Sequence, residues 1–337
     1  MSGETRSAGD ASVVNSNADL ATWDFGIAVG HATDEPGGTG LTVVRGVDEA
    51  MRASAHVFGR ATGTREIALL DPSASNERVD AILLTGGSAY GLDAAAGVMQ
   101  WMEERGRGFS IAGGVVPIVP TAVLFDLAPL GAFGARPTAQ MAYRACTEAR
   151  TDHIAEGSVG AGTGCTVGKV LGPGRAMKGG LGIGIAGTGS AQSGVMAVAV
   201  AAVNAMGHVK DRDNRILAGP RDDAGQPLDA ELLLLEAGRP PMSAGENTTI
   251  AVVALNVALT KVELHQLARA ASAAFFRRIG PAGTTFDGDV LFAVAPLAGR
   301  RVPLLQAEVV ATAALEEAIV RAVRQARGRD GIPGLAD

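Results

Sequence analysis

Asn247 and Thr248 form the junction with the most chemical promise in this 337-residue chain. Upstream, residues 208–247 are dense in Asp, Arg, Gly and Pro, as in Lys210-Asp-Arg-Asp-Asn-Arg215, Gly219-Pro-Arg-Asp-Asp-Ala-Gly225 and Arg239-Pro-Pro241; only Leu232 to Leu235 is apolar. A polar, turn-rich stretch of that length inside a compact domain reads as a linker or a functional loop. Downstream, Thr248-Thr-Ile-Ala-Val-Val-Ala-Leu255 reads as a buried β-strand. If the bond between the two breaks, the strand begins with a residue carrying both a hydroxyl and a free α-amine. That amine titrates at about 7.7–8, so it can act as general base for its own hydroxyl. The bland alternative is that Asn-Thr is a common dipeptide and Thr an ordinary strand opener. Spacing alone does not decide between them.

Three other candidate motifs are weaker. Gly160 to Lys169 looks like a phosphate loop, but the first required Gly falls on Thr163, and Val170 replaces the Ser or Thr after the Lys. Gly86-Gly-Ser-Ala-Tyr90 approaches a nucleophile elbow, except that Tyr90 stands where Gly is needed. Ser88 there reads as a helix cap or a site-lining residue. His31, His56, His153, His208 and His265 never fall at HxH or HExxH spacing, so neither a catalytic metal nor a cofactor is expected. His265, inside a predicted helix, reads as structural.

The elements that must position Thr248 alternate between strands and helices. Strands are expected at Phe25 to Gly30, Ile67 to Leu70 and Ala81 to Thr85, with a helix over Asp48 to Phe58 and another over Leu92 to Glu104. Gly180 to Ala186 and Gly194 to Val203 carry little amphipathic period, as elements buried on both faces do. Thr260-Lys-Val-Glu263 is a capping box opening a helix to Arg278. A strand over Thr284 to Val294, after a turn, and a helix over Leu304 to Arg327 complete a mixed α/β chain.

Composition bounds the partners. With 47% hydrophobic residues and 46 glycines, the chain can bury a large core built from small and aliphatic side chains. A net charge of −6, with no Lys/Arg block, argues against nucleic acid or an anionic membrane as partner. The longest near-apolar run, Gly194 to Met206, is shorter than the roughly 20 residues that span a bilayer. Residues 1–20 read as a loose tail without the apolar region of a signal peptide. Cys146 and Cys165 form neither a disulfide framework nor a CxxC pair, which fits a reducing cytoplasm, with Cys165 a small buried thiol.

Several segments together resemble one family. They are Asp24 to His31, Leu84-Thr-Gly-Gly-Ser88, Gly160 to Lys169, Val203-Asn204-Ala-Met-Gly207 and Gly245-Glu-Asn-Thr-Thr-Ile-Ala-Val-Val-Ala254. The chain resembles, over nearly its whole length, the self-processing N-terminal-nucleophile amidases that include the nylon-oligomer (6-aminohexanoate-oligomer) endohydrolase and the D- and β-aminopeptidases. The resemblance implies a four-layer αββα sandwich, assembly into homo-oligomers of cleaved units, and cleavage of the chain into a segment ending at Asn247 and one beginning at Thr248. These are segments 21–247 and 248–337 of one structural domain. It further implies Thr248 as nucleophile, Asn204 as oxyanion donor, Lys169 as active-site lysine, and Asp287 and Asp289 as the acidic pair. Thr248 with that Asp-Gly-Asp leans toward the nylon-oligomer branch and its linear amide substrates, with a β- or D-aminopeptidase as the alternative. At Val123-Leu-Phe-Asp126, where the family has a tyrosine, Phe125 stands, and no tyrosine is carried over.

The residues are compatible with those roles. Asp287 and Asp289 share a direction if Asp287-Gly288-Asp289 is extended, whereas Asp-Gly is also a favoured hairpin turn. Lys169 lies among Gly and Val, unlike a surface lysine. Two other classes remain open: a Ser88-based hydrolase, and a non-catalytic relative that binds a small molecule. Only the self-processing reading predicts fragments of 247 and 90 residues on a denaturing gel.

Overall fold

The computed structural model describes residues 25–188, 194–237 and 247–337. The expected tail 1–20, Asp24 of the early motif, and 238–246 of the polar segment lie outside the described residues.

Two five-stranded sheets dominate. The first takes β1 (Ile27–Asp34), β2 (Thr39–Gly46), β4 (Gly63–Arg65), β5 (Ala81–Thr85) and β6 (Thr121–Val123), in the order β1-β2-β5-β6-β4. The second takes β3 (Arg52–Val57), β7 (Gly180–Gly187), β8 (Met196–Asn204), β9 (Thr248–Leu255) and β10 (Val290–Ala295), in the order β7-β8-β9-β10-β3. Pairing is antiparallel except β5 with β6 and β9 with β10. Helices α1 (Ala95–Glu103) and α2 (Ala139–Thr147) cover the first sheet, and α3 (Ala230–Ala237) lies apart. The second sheet is covered by α4 (Lys261–Ala271), α5 (Ala273–Arg278) and α6 (Leu304–Arg324).

Four layers need three interior interfaces, and the buried side chains sort into three large clusters. Leu41, Val43, Ala81 and Leu83 meet Val98, Met102 and Ala145 between the first sheet and α1 and α2. Val44, Ile82 and Leu84 meet Val198, Val200, Ile250, Val252 and Phe292 between the sheets. Ala199, Ala201, Ala251, Val253 and Leu291 meet Leu264, Phe275, Leu315 and Ile319 on the outer helical side. Successive residues of β8 and β9 thus alternate between two dry interfaces. That is why these strands read as unbroken apolar runs. Each Val, Leu or Ile so buried contributes roughly 1.5–3 kcal/mol.

Strand β7 shows why its glycines recur at every second position. A Cβ on Gly182 would stand 2.0 Å from the Ala318 carbonyl oxygen, and one on Gly184 2.0 Å from that of Ala314. Helix α6 therefore rests its backbone directly on the strand, with Ala314, Ala318 and Ala322 one turn apart along the contact.

The sandwich, the strands at 81–85 and 248–255, and the capping box match the sequence expectations, and the stretches expected to be buried on both faces are the strands at 180–187 and 196–204. In that box the Thr260 N–H donates to Glu263 Oε2 at 2.7 Å, and the Glu263 N–H to Thr260 Oγ1 at 3.2 Å. Four expectations are corrected. Asp48 to Phe58 is no helix: it contains the edge strand β3, whose alanines suggest a helix locally but pair with β10 from Val57↔Val290 to Arg52↔Ala295. Ile67–Leu70 is a 3-10 turn, with its Leu70 carbonyl taken by the Ser54 hydroxyl at 2.8 Å and its Leu69 carbonyl by Lys261 at 2.9 Å. The polar stretch from 208 is not structureless. It holds short strands His208–Lys210 and Ile216–Ala218 and helix α3. The strand expected from Thr284 begins only at Val290. Among the described residues, no helix is long and apolar enough to cross a membrane.

Candidate active site

Thr248 opens β9, the middle strand of the second sheet, and is 3% exposed. Its hydroxyl donates to the Asn247 carbonyl oxygen at 2.6 Å. The same oxygen accepts the Gly288 N–H at 2.9 Å, through a parallel bridge between Asn247 and Asp287 that extends the β9–β10 pairing. Gly288 is confined there, since a Cβ would meet Thr248 Oγ1 and the Ala61 carbonyl at 2.7 Å each.

Asn204, the last residue of β8, stands opposite Thr248 in the ladder. By the strand alternation both side chains fall on the inter-sheet face. Lys169 Nζ donates to Asn204 Oδ1 at 2.9 Å and to the Asn204 main-chain oxygen at 3.1 Å, and the Thr166 N–H donates to Oδ1 at 3.0 Å. Because an ammonium only donates, Oδ1 must face Lys169. Asn204 Nδ2 then donates to the Phe125 carbonyl at 2.8 Å, tying the second sheet to the end of β6. Where a tyrosine hydroxyl was sought, the structure places a backbone carbonyl. Lys169 follows Gly168 in a 3-10 turn and is buried, unlike a surface or helix-capping lysine.

The acidic pair is buried too. Asp289 Oδ1 accepts the Thr249 N–H at 2.7 Å, and its Oδ2 accepts the Gly283 N–H at 3.0 Å. Asp287 Oδ2 accepts the Thr284 hydroxyl at 2.6 Å and its N–H at 2.8 Å. The 287–289 segment is therefore no hairpin turn: the Asp287 carbonyl takes the N–H groups of Arg60 and Ala61 at 2.8 and 2.9 Å. Burial raises both carboxyl pKa values above the usual range, and for Asp289 the neighbouring Asp287 charge adds to it. Hydrogen bonds from Thr284 and the charge of Lys169 moderate the rise at Asp287.

Residues that the sequence did not single out support this end of the sandwich. Asp126, next to Phe125, accepts the Thr39 hydroxyl and the Gly87 N–H at 2.6 Å each, and burial lifts its pKa to about 6. Fully buried Lys178 donates to the Gly162 and Gly179 carbonyls at 2.9 and 2.8 Å, and burial lowers its pKa to about 8. A buried lysine in a Met-Lys-Gly-Gly run has no spacing signature, which is why composition hid it.

The rival candidates fare differently. Ser88 has a strained φ of 52°, but its side chain caps no helix, and no histidine, lysine or carboxylate is hydrogen-bonded to its hydroxyl among the described residues. Burial raises the Cys165 thiol to about 12, so it is no thiolate. His265 lies in α4, against the Ala55 carbonyl at 3.1 Å. Among the described residues, one trio of potential metal ligands does come together, His208, Asp229 and Glu231. There His208 Nδ1 accepts the Ala230 N–H at 3.0 Å, and Asp229 caps α3 through the Glu231 N–H at 2.9 Å. Helix capping accounts for that grouping.

The sequence profile of peptidase family S58 matches residues 23–335. The chain belongs to this family. Its members are hydrolases acting on amide bonds, and the chain is one of them. It is 43% identical to an uncharacterized aminopeptidase of Mycobacterium tuberculosis over 244 residues, 70% of this chain and 67% of that one. It is 31% identical to the 6-aminohexanoate-oligomer endohydrolase of an Agromyces species over 304 residues, 84% of this chain and 77% of the other. In three dimensions it resembles a β-aminopeptidase of a Burkholderia species, with a TM-score of 0.70 at 21% identity, covering 98% of this chain and 93% of that one. It also resembles the L-aminopeptidase D-Ala-esterase/amidase of Ochrobactrum anthropi, with a TM-score of 0.67 at 19% identity and coverages of 95% and 89%. The latter is described as a variant of the N-terminal-nucleophile hydrolase fold, and the S58 chain shares that fold.

Proposed function

We propose that this S58 hydrolase cuts its own Asn247–Thr248 bond and then uses Thr248, as N-terminal nucleophile, on linear amide oligomers such as those of 6-aminohexanoate. The observation that carries the reading is the Thr248 hydroxyl, buried at the head of a central strand and 2.6 Å from the carbonyl oxygen of the bond before it. In turnover the freed α-amine takes the hydroxyl proton as oxygen attacks the substrate carbonyl. The Asn204 amide, turned by Lys169 and Phe125, supplies a donor to the oxyanion. Lys169 adds positive charge that favours the neutral amine. Asp287 and Asp289 hold the strand head and the substrate's own amine. The cut chains, 247 and 90 residues long, stay together as one folded unit, and several such units assemble.

A second reading, an aminopeptidase removing terminal residues, is favoured by the higher identity to the mycobacterial relative. Thr248 with Asp287 and Asp289 is the reason for preferring linear ω-amino-acid oligomers. A denaturing gel with N-terminal sequencing tests the common core, with a small fragment beginning Thr-Thr-Ile-Ala as the expected result. An active protein running as one intact chain would refute self-processing. A panel of 6-aminohexanoate oligomers, β-peptides and D-amino-acid amides then separates the two substrate readings. Light scattering at the mass of a single cleaved unit would reject the assembly.

A further inference from the structure

Each polar group around the scissile bond has a definite orientation, and only some of them reach the bond itself. The Asn247 carbonyl oxygen accepts hydrogen bonds from the Thr248 hydroxyl at 2.6 Å and from the Gly288 N–H at 2.9 Å. The first cannot last through the reaction, because the hydroxyl that donates it is the group that must lose its proton to attack. We propose that the main-chain N–H of Gly288 is the oxyanion donor for self-cleavage. This assigns chain cutting and substrate turnover to different donors, Gly288 for the first and Asn204 for the second, and it rests on the self-processing reading above.

The step balances without any outside reagent. Thr248 Oγ bonds to the Asn247 carbonyl carbon, and the electron pair of the C=O bond moves onto its oxygen. The Asn247–Thr248 C–N bond then breaks, and the hydroxyl proton ends on the departing Thr248 nitrogen. The product is an ester between Asn247 and Thr248 Oγ, which water opens to a carboxylate and a hydroxyl. At the tetrahedral stage the negative charge sits on the oxygen that Gly288 contacts at 2.9 Å in the uncut chain, and the donor must then keep about 2.7–3.1 Å to the oxyanion. Two features hold this donor in place. The carbonyl of Asp287, on the other side of the same peptide unit, takes the Arg60 and Ala61 N–H groups. Gly288 itself lacks the Cβ that would push on Thr248 Oγ1 and on the Ala61 carbonyl. A glycine between two buried aspartates thus serves close approach as well as donation.

The same bond is also an ordinary rung between neighbouring strands, so the test must separate the two roles. Semisynthesis or cell-free suppression can replace Gly288 by glycolic acid in the full chain, exchanging its N–H for an ester oxygen without changing shape. The control replaces Ala61 by lactic acid, which deletes a neighbouring rung to Asp287 and leaves the scissile carbonyl alone. The expected result is self-cleavage slowed about 10²- to 10³-fold by the first exchange and little changed by the second, at matched melting temperatures. Normal cutting by the Gly288 ester, or equal slowing in both, would overturn the proposal. If the ester chain does not fold, amide exchange in uncut Thr248→Ala reads the same contact, and a fast-exchanging Gly288 N–H would overturn it. Self-processing fails separately: in that case the unmodified chain stays whole, or Thr248→Ala is still cut.

Discussion

The two ends of β9 are built from the same strand and have opposite surroundings. At the Thr248 end, the inter-sheet layer closes over Lys169, Asn204, Asp287 and Asp289, each at most 4% exposed. At the Leu255 end, the layer opens into a cavity of about 560 Å³, lined by Ile27, Met51, Val198, Ala254 and Val294 with Asp48 and Glu49 among its other walls. That cavity lies at the end of the strand away from Thr248. Volume alone would point to that end, away from the proposed nucleophile. What marks the Thr248 end is a set of buried polar and ionisable groups, costly unless each is hydrogen-bonded, and here each one is.

The sharpest way to break this contrast is at Thr248. Thr248→Ala should give an intact 337-residue band and no amide hydrolysis, with turnover down by at least about 10⁴-fold, the scale seen when an essential nucleophile is removed. It should remain folded, because one hydroxyl at a strand head does not decide a core of this size. Thr248→Ser should keep some cutting and some activity, at altered rates, since Ser lacks the β-methyl that fixes χ1. Ser88→Ala should leave both intact. Activity that survives Thr248→Ala but not Ser88→Ala would move the chemistry to the turn after β5.

The acidic pair comes next in size. Asp287→Asn and Asp289→Asn should each slow cutting and turnover, by roughly 10²-fold if they position the reacting groups. Their buried carboxyls also tie stability to pH. The folded pKa of Asp289 lies above its unfolded value, so the native chain binds the proton more tightly. That contribution is complete below the ordinary carboxylate range and is lost as pH rises through the raised folded value. Melting temperatures measured from pH 5 to 9 should therefore fall as pH rises to about 8 and level off above it, and fall less steeply in Asp289→Asn. A parallel decline in wild type and variant would mean that Asp289 is ionised without penalty.

What the sequence revealed follows the same divide. Strand β9 and the capping box at Thr260 were legible because their signals are local: an apolar run after turn residues, and Glu three positions after Thr. Strand β3 was not, because Arg52-Ala-Ser-Ala-His-Val57 has a single β-branched residue, at its end. Its strand state comes from pairing with β10, far along the chain. At the site, Thr248, Asn204, Lys169, Asp287 and Asp289 could be named through resemblance, and the structure brings them together. The Phe125 carbonyl, the Thr166 N–H and the Gly288 N–H could not, since a main-chain group carries no residue-type signature. Lys178 and Asp126 are visible as letters, but only burial singles them out.

A third test strikes the helix that backs both ends. Gly182→Val would drive a side chain into α6, where a Cβ already stands 2.0 Å from the Ala318 carbonyl and 2.4 Å from the Ala322 nitrogen. Overpacking of this kind costs about 1–3 kcal/mol, and two backbones in contact leave little room to yield. A lower melting temperature is expected, with residual cutting in the fraction that stays folded. An unchanged melting temperature would show that α6 can lift from β7 without loss.

The smallest effect is expected at the cavity end. Ala254 is 1% exposed, lines the cavity, and pairs with Val198 on one side and Val294 on the other. From Thr248 to Leu255 the strand climbs about 23 Å at roughly 3.3 Å per residue, so Ala254 lies well beyond the ~10 Å within which substitutions couple. Ala254→Val adds two methyl groups beside open volume, which should shift stability by no more than about 1 kcal/mol, since swaps of this size are tolerated where space exists. Rates of self-cleavage and of turnover should stay within about twofold of wild type, as for uncoupled sites. A large loss of turnover at unchanged stability would mean that the open end communicates with Thr248. The two ends of β9 would then have to be treated as one site, reached through the dry layer between the sheets.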